Sequence, residues 1–164
     1  MKLLLSVLLA LFLTSHVYAS GPTYPKQYRN PTKEELSSEW RKAVPEKYAT
    51  VTADFNGDKL VDGAFLVVDD KNKKIVVIVA LYNKNSSYTW IELQTMDYEV
   101  LNYQGISSIE PTTVSVYKGD TTEETKHSIT LKYNSIKSFS SEGSSSIFTW
   151  DSSEKRFQQH WLTK

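Results

Sequence analysis

The hydrophobic pattern takes three successive forms along the chain. Leu3 to Leu13 is an apolar run broken only by Ser6 and preceded by the charged start Met1-Lys2. A helix that crosses a membrane needs about 20 apolar residues, and this run is shorter, as the core of a secretory signal is. Val17-Tyr18-Ala19 places small residues one and three positions before a cut, so cleavage is expected after Ala19. Residues 1–19 then read as a signal peptide and 20–164 as a single domain. Residues 20–30, with Pro22 and Pro25, read as an extended arm.

A helical period follows. Thr32 and Glu35 make a T-x-x-E capping box, and Leu36, Trp40 and Val44 recur at four-residue intervals with Ala43 beside them. Pro45 ends the stretch, which predicts one helix laying Leu36 and Trp40 on a sheet.

From Tyr48 the period is two. Ala49, Val51, Ala53 and Phe55 alternate with Thr50 and Thr52, as in a half-buried strand. Ala64 to Val68 and Ile75 to Leu81 are continuous apolar runs around the polar cluster Asp69 to Lys73, and read as a hairpin of central strands covered on both faces. Tyr88 to Leu93 adds an arm, and Asp97 to Gly105 is irregular. Later strands are predicted at Thr113 to Tyr117, Ser128 to Tyr133, Ile136 to Ser140, Ile147 to Trp150 and Arg156 to Leu162. The expected class is α+β: an N-terminal helix packed on a mostly antiparallel, meandering sheet.

Composition narrows the function. Nineteen basic residues balance nineteen acidic ones, so no electrostatic field draws the chain to nucleic acid or to an anionic membrane. There is no cysteine, hence no disulfide and no lipid-bearing cysteine after the signal. The expected location is the periplasm or the medium, with no membrane attachment after cleavage. Ten tyrosines and four tryptophans suit sheet surfaces, and also carbohydrate or protein contacts.

One segment carries recognisable chemistry. Asp54-Phe-Asn-Gly-Asp-Lys-Leu-Val-Asp62 sets side-chain oxygens at Asp54, Asn56, Asp58 and Asp62, the first, third, fifth and ninth places of a loop. With the backbone carbonyl of Leu60, such spacing wraps a hard cation, and Ca²⁺ accepts six to eight oxygens in irregular geometry. The same residues also suit an Asx-rich turn whose carboxylates cap backbone N–H groups. Both readings stay open: Lys59 stands where loops of this kind carry glycine, and Phe65 in the twelfth place cannot supply the carboxylate of an EF-hand.

Strand, D-F-N-G-D-x-x-x-D, strand, from Val51 to Val68, resembles the calcium loop of FG-GAP (integrin α-type) propeller repeats. The resemblance implies calcium held between two strands; a propeller would need several such blades, and this chain has one. The wider pattern is similar to a group of small exported bacterial proteins of uncharacterised function. It rests on Tyr28-Arg29, Pro31-Thr32, Glu39-Trp40-Arg41, the loop, and Phe148-x-Trp150-Asp151.

Catalytic patterns are sparse. His127 and His160 belong to no zinc spacing, and no nucleophile elbow or phosphate-cradling loop occurs. The pairs Asp69-Asp70 and Glu123-Glu124 are adjacent in sequence, which sends their side chains to opposite faces of a strand. The serine-rich tract from Ser138 to Ser146 reads as a flexible hairpin, and Tyr82, Tyr88, Tyr98 and Tyr103 read as candidate contact aromatics. The sequence therefore favours a non-catalytic exported binding module with a calcium-braced loop, its partner another envelope or secreted protein. A small carboxylate-dependent hydrolase and an immunity-type inhibitor of a toxin are the alternatives.

Overall fold

A strand that is apolar at every position is stable only when both its faces are covered, and this determines the centre of the molecule. The computed structural model describes residues 22–117 and 125–163. The expected signal peptide, residues 1–19, and the pair Glu123-Glu124 lie outside the described residues. β1 (Thr50–Ala53), β2 (Asp62–Asp69), β3 (Lys74–Tyr82) and β4 (Tyr88–Asp97) form an antiparallel meander, the first sheet. Every residue of β2 is buried, as is β3 between its two ends.

β5 (Gln104–Ile109), β8 (Ser135–Ser140), β9 (Ser145–Asp151) and β10 (Arg156–Thr163) form the second sheet, in the order β10-β9-β8-β5. β6 (Thr113–Tyr117) and β7 (Lys126–Thr130) pair as a separate two-stranded ribbon. The two larger sheets enclose the main core: Leu66, Val68, Ile75, Val77 and Val79 from the first meet Ile106, Ile136 and Phe148 from the second. At one edge the chain serves both sheets, since the Tyr48 carbonyl accepts from Ile106 N–H at 2.8 Å and the Ala49 carbonyl from Leu66 N–H at 2.8 Å.

The outer face of the first sheet (Phe65, Val67, Val76, Ile78, Ala80) is capped by Tyr24 and Tyr28 of the arm and by Trp90. The arm is fastened by main chain and charge. Arg29 pairs with Val68 in a two-bond bridge that extends the line of β1. Its guanidinium meets Glu35 through two bonds of 2.8 Å and Asp70 through bonds of 2.6 and 2.7 Å. Residues 22–30 thus supply the cover without which one face of β2 and β3 would meet water.

The expected N-terminal helix does not form, and the class is corrected to nearly all-β. Strand accounts for 51% of the structure and helical turns for 4%, and no helix reaches seven residues among the described residues. The capping box itself is present: Thr32 N–H donates to Glu35 Oε2 at 2.7 Å and Glu35 N–H to Thr32 Oγ1 at 3.3 Å. One turn follows, then Ser37 bonds back to the Glu34 carbonyl and Ser38 turns extended at ψ 153°. Only a 3-10 turn, Glu39–Arg41, comes after it. A helix of about a dozen residues is marginal by itself, and here its side chains find better partners apart. Leu36 enters the core, Trp40 Nε1 donates to the Asn102 carbonyl at 2.6 Å, and Val44 stays 53% exposed.

Arg41 is the uneconomical member of this segment. It is buried, donates to the Gln104 carbonyl and lies 4.4 Å from the Trp40 ring centroid, yet Nε and Nη1 have no partner. Burial lowers its pKa to about 10. An apolar side chain of similar volume often replaces a buried ion at no cost, or with a gain of about 1–4 kcal/mol. Arg41→Met is therefore expected to hold or raise the midpoint of urea unfolding; a clear fall would contradict this assignment.

Candidate functional site

The loop from Asp54 to Asp62 is built almost entirely from its own hydrogen bonds. Asp54 accepts from Gly57 N–H at 2.7 Å and Lys59 N–H at 2.9 Å; Asn56 accepts from Asp58 N–H at 2.9 Å; Asp58 accepts from Leu60 N–H at 2.8 Å. Asp62, at the start of β2 and 1% exposed, accepts from Phe55 N–H and from Tyr82 N–H, both at 2.9 Å. Lys59 takes the positive φ, 68°, that the loop pattern assigns to glycine. Gly57 also has positive φ, 81°, and lies so close under the Tyr133 ring that a Cβ there would stand 2.1 Å from it.

Asp54, Asn56, Asp58 and Asp62 thus share one loop, and the fold gives their oxygens to backbone donors. Among the described residues no three His, Cys, Asp or Glu side chains are grouped to hold a metal ion. Asp62 has its pKa raised by burial above all, with the charges of Asp58 and Asp54 adding to it. Two N–H donors offset part of that penalty.

Histidine chemistry is equally confined. His160 in β10 hydrogen-bonds Thr149 Oγ1 through Nε2 at 3.0 Å, and its pKa is lowered by burial and then by the charge of His127. A hydroxyl activated by histidine needs a third group orienting the ring, and among the described residues no second side-chain bond to His160 is present. Of the candidate tyrosines, Tyr82 and Tyr88 pair across β3 and β4 with ring centroids 5.2 Å apart. The Tyr98 hydroxyl donates to Glu35, and Tyr103 is 44% exposed.

A cleft of about 440 Å³ opens where the second sheet meets β4. Its origin lies in strand register. Ile106, Ser138, Ser146 and Trp161 stand opposite one another across β5, β8, β9 and β10. Laterally paired residues share a face, and two residues along that face are Ile136 and Phe148, which belong to the core. The inner face of the second sheet therefore changes from apolar to hydroxyl and amide as it leaves the core, and β4 supplies Gln94, Met96 and Asp97 opposite.

A polar group is buried at little cost only when it is hydrogen-bonded, and the cleft meets that condition. Ser138, 2% exposed, accepts from Gln104 Nε2 at 2.7 Å and donates to Gln94 Oε1 at 2.7 Å. Ser146, 1% exposed, accepts from Gln159 Nε2 at 3.1 Å, and the Ser145 hydroxyl lies 2.9 Å from that of Thr163. Two carboxylates stand at the exposed rim, Asp97, paired with Lys74, and Glu142. The sequence reading passed over this site because it took Ser138 to Ser146 for a flexible hairpin. The signal was there: Ser138 and Ser140 at the end of β8, and Ser144 and Ser146 around the start of β9, fall on alternate places, the period of one sheet face. No protein-family model, curated protein or solved structure matches the chain.

Proposed function

We propose that the chain is an exported, non-catalytic binding module whose ligand occupies the cleft between β4 and the second sheet. The observation that carries this reading is a cleft of about 440 Å³ with a pre-formed Gln94–Ser138–Gln104 relay in its wall. Small-molecule sites span roughly 300–1,000 Å³ and fix their ligands with a few well-placed polar groups. Export is supported by the charged start, the short apolar run and the Val17-Tyr18-Ala19 ending of the first segment.

The test is a thermal-shift panel of neutral oligosaccharides, short peptides and anionic small molecules, run on the wild type and on Ser144→Trp. Ser144 is exposed at the cleft wall, so the indole blocks the opening and spares the core. One class should raise the melting temperature of the wild type and leave the variant unmoved. A panel that shifts neither protein, or both equally, would overturn the reading.

A hydrolase is the second reading, because Asp97 and Glu142 both border the cleft and paired carboxylates run glycoside cleavage. Binding is preferred because Asp97 is ion-paired with Lys74 and both carboxylates are exposed at the rim. Release of reducing ends from an oligosaccharide, abolished in Asp97→Asn/Glu142→Gln with binding retained, would replace binding by catalysis.

For the Asp54–Asp62 loop we propose a bracing role held by hydrogen bonds, with which any calcium ion would have to compete. The support is the use of the Asp54, Asn56, Asp58 and Asp62 oxygens on backbone donors. Melting is expected at the same temperature in calcium and in chelator. A ligand at 100 times its Kd stabilises by about 2.7 kcal/mol, so a calcium-dependent rise of several degrees, lost in Asp58→Ala, would restore the metal.

A further inference from the structure

We infer that the cleft takes a neutral, hydroxyl-rich ligand, a short saccharide, held by the Gln94–Ser138–Gln104 relay beside the indole of Trp161. This rests on the cleft being the binding site and goes further by naming the class of ligand. Charge decides first. Among the described residues no lysine or arginine lines the cleft, while Asp97 and Glu142 stand at its rim. Phosphate and carboxylate ligands therefore find no counter-charge among its lining side chains, and meet Glu142 and the Lys74-paired Asp97 at its mouth.

Hydrogen-bonding chemistry decides next. The relay uses Gln104 Nε2 as donor and Gln94 Oε1 as acceptor, which leaves Gln94 Nε2 as a donor and Gln104 Oε1 as an acceptor without a side-chain partner among the described residues. A free donor and a free acceptor at the two ends of one relay suit sugar hydroxyls, which accept and donate at once. Ser140 and Ser144 add hydroxyl groups to the same wall. Because Gln104 is 7% exposed and Ser138 2%, the relay is fixed before a ligand arrives and little ordering entropy is left to lose.

The apolar contacts complete the match. A sugar ring has a C–H face as well as hydroxyl edges, and an aromatic side chain packs against that face while its polar edge stays wet. Trp161 lies across from Ser146, next in the lateral row to the relay serine, and Met96 lines the opposite wall from β4. A peptide would also meet the amides. Its termini, however, carry charges that no lysine or arginine among the described lining residues answers.

The test is titration calorimetry of the full chain with maltotriose, cellotriose and triacetylchitotriose, set against trialanine and trigalacturonate. At least one neutral trisaccharide should bind, and trialanine and trigalacturonate should not. Gln94→Leu and Trp161→Ala should each weaken that binding about tenfold or more, equal to about 1.4 kcal/mol. Gln94 is half-buried on the edge strand β4, so its leucine variant keeps the fold and serves if the Trp161 variant melts early. Binding of trialanine or trigalacturonate, blocked by Ser144→Trp, with no neutral trisaccharide bound would overturn the neutral saccharide and leave the cleft standing. No binding by any of the five probes, or binding that Ser144→Trp does not disturb, would overturn both.

Discussion

Replacing Asp62 by alanine is expected to remove about 2–6 kcal/mol of stability. The carboxylate is 1% exposed and is the acceptor for Phe55 N–H at the mouth of the loop and Tyr82 N–H at the end of β3. Truncation strands two donors in the interior at about 1–3 kcal/mol each. Against a total of about 5–15 kcal/mol for a domain, that is a large fraction, and urea unfolding should show it directly. Asp62→Asn keeps one acceptor oxygen and should cost distinctly less. A loss under about 1 kcal/mol for alanine would mean that the two N–H groups find other partners.

The second large effect is a pH dependence centred on Glu35. Its pKa falls from 4.5 to about 2, chiefly because Arg29 bonds it and with help from Tyr98 and the Thr32 N–H. Arg29 is raised in turn by Glu35 and Asp70. A carboxyl with a depressed folded pKa stabilises the fold above its unfolded value, near 4.5, and that contribution is lost as pH falls toward 2. A shift of this size corresponds to about 3 kcal/mol; Arg29 keeps 37% of its side chain in water, so screening reduces the expected effect to about 1–2 kcal/mol. Glu35→Gln should lose that amount at neutral pH and flatten the stability profile between pH 4.5 and about 2. Asp62 acts in the opposite sense, since its raised pKa makes stability fall as pH rises through its titration. A Glu35→Gln profile parallel to that of the wild type would show that the Arg29–Glu35 pair does not join the arm to the body of the fold.

Much of the sheet was legible in the chain and the first segment was not, for reasons found in particular residues. β2 and β3 were readable because their runs are apolar at every position and the polar cluster Asp69 to Lys73 separates them. The helix was misread because the signals at Thr32 and Glu35 are real and local, and both capping bonds form. What ended it were Ser37 and Ser38, together with tertiary partners for Glu35, Trp40 and Arg41 that no periodicity shows. β5 went unread because Gln104, Gly105, Ser107 and Ser108 carry no strand pattern; pairing with β8 makes it a strand. Gly105 is fixed by packing, since a Cβ there would stand 2.8 Å from the Phe139 ring and 3.0 Å from that of Trp40.

The candidate site followed the same division. The Asp54–Asp62 loop was visible as a spacing that suited a calcium loop and an Asx-rich turn alike, and its side chains accept from the backbone N–H groups that the turn reading requires. The cleft joins residues from β4, β5, β8, β9 and β10, and a serine in a strand looks like a serine in a loop until register places it beside Gln104 or Trp161. Polar residues on an inward-facing row are a local conflict between pattern and position, and such conflicts are expected at functional sites.

The central claim, that the cleft is where a ligand binds, is tested most directly by the indole N–H signals of the four tryptophans, Trp40, Trp90, Trp150 and Trp161, in an ¹⁵N-correlated NMR spectrum. Trp161 is the one that lines the cleft, and Trp161→Phe assigns its signal. Titration with the trisaccharides should move that signal in a saturable way and leave Trp40, Trp90 and Trp150 in place. Movement of Trp90, which lies with Tyr24, Phe65 and Tyr88 on the outer face of the first sheet, with Trp161 unmoved, would contradict the account and transfer binding to that aromatic face.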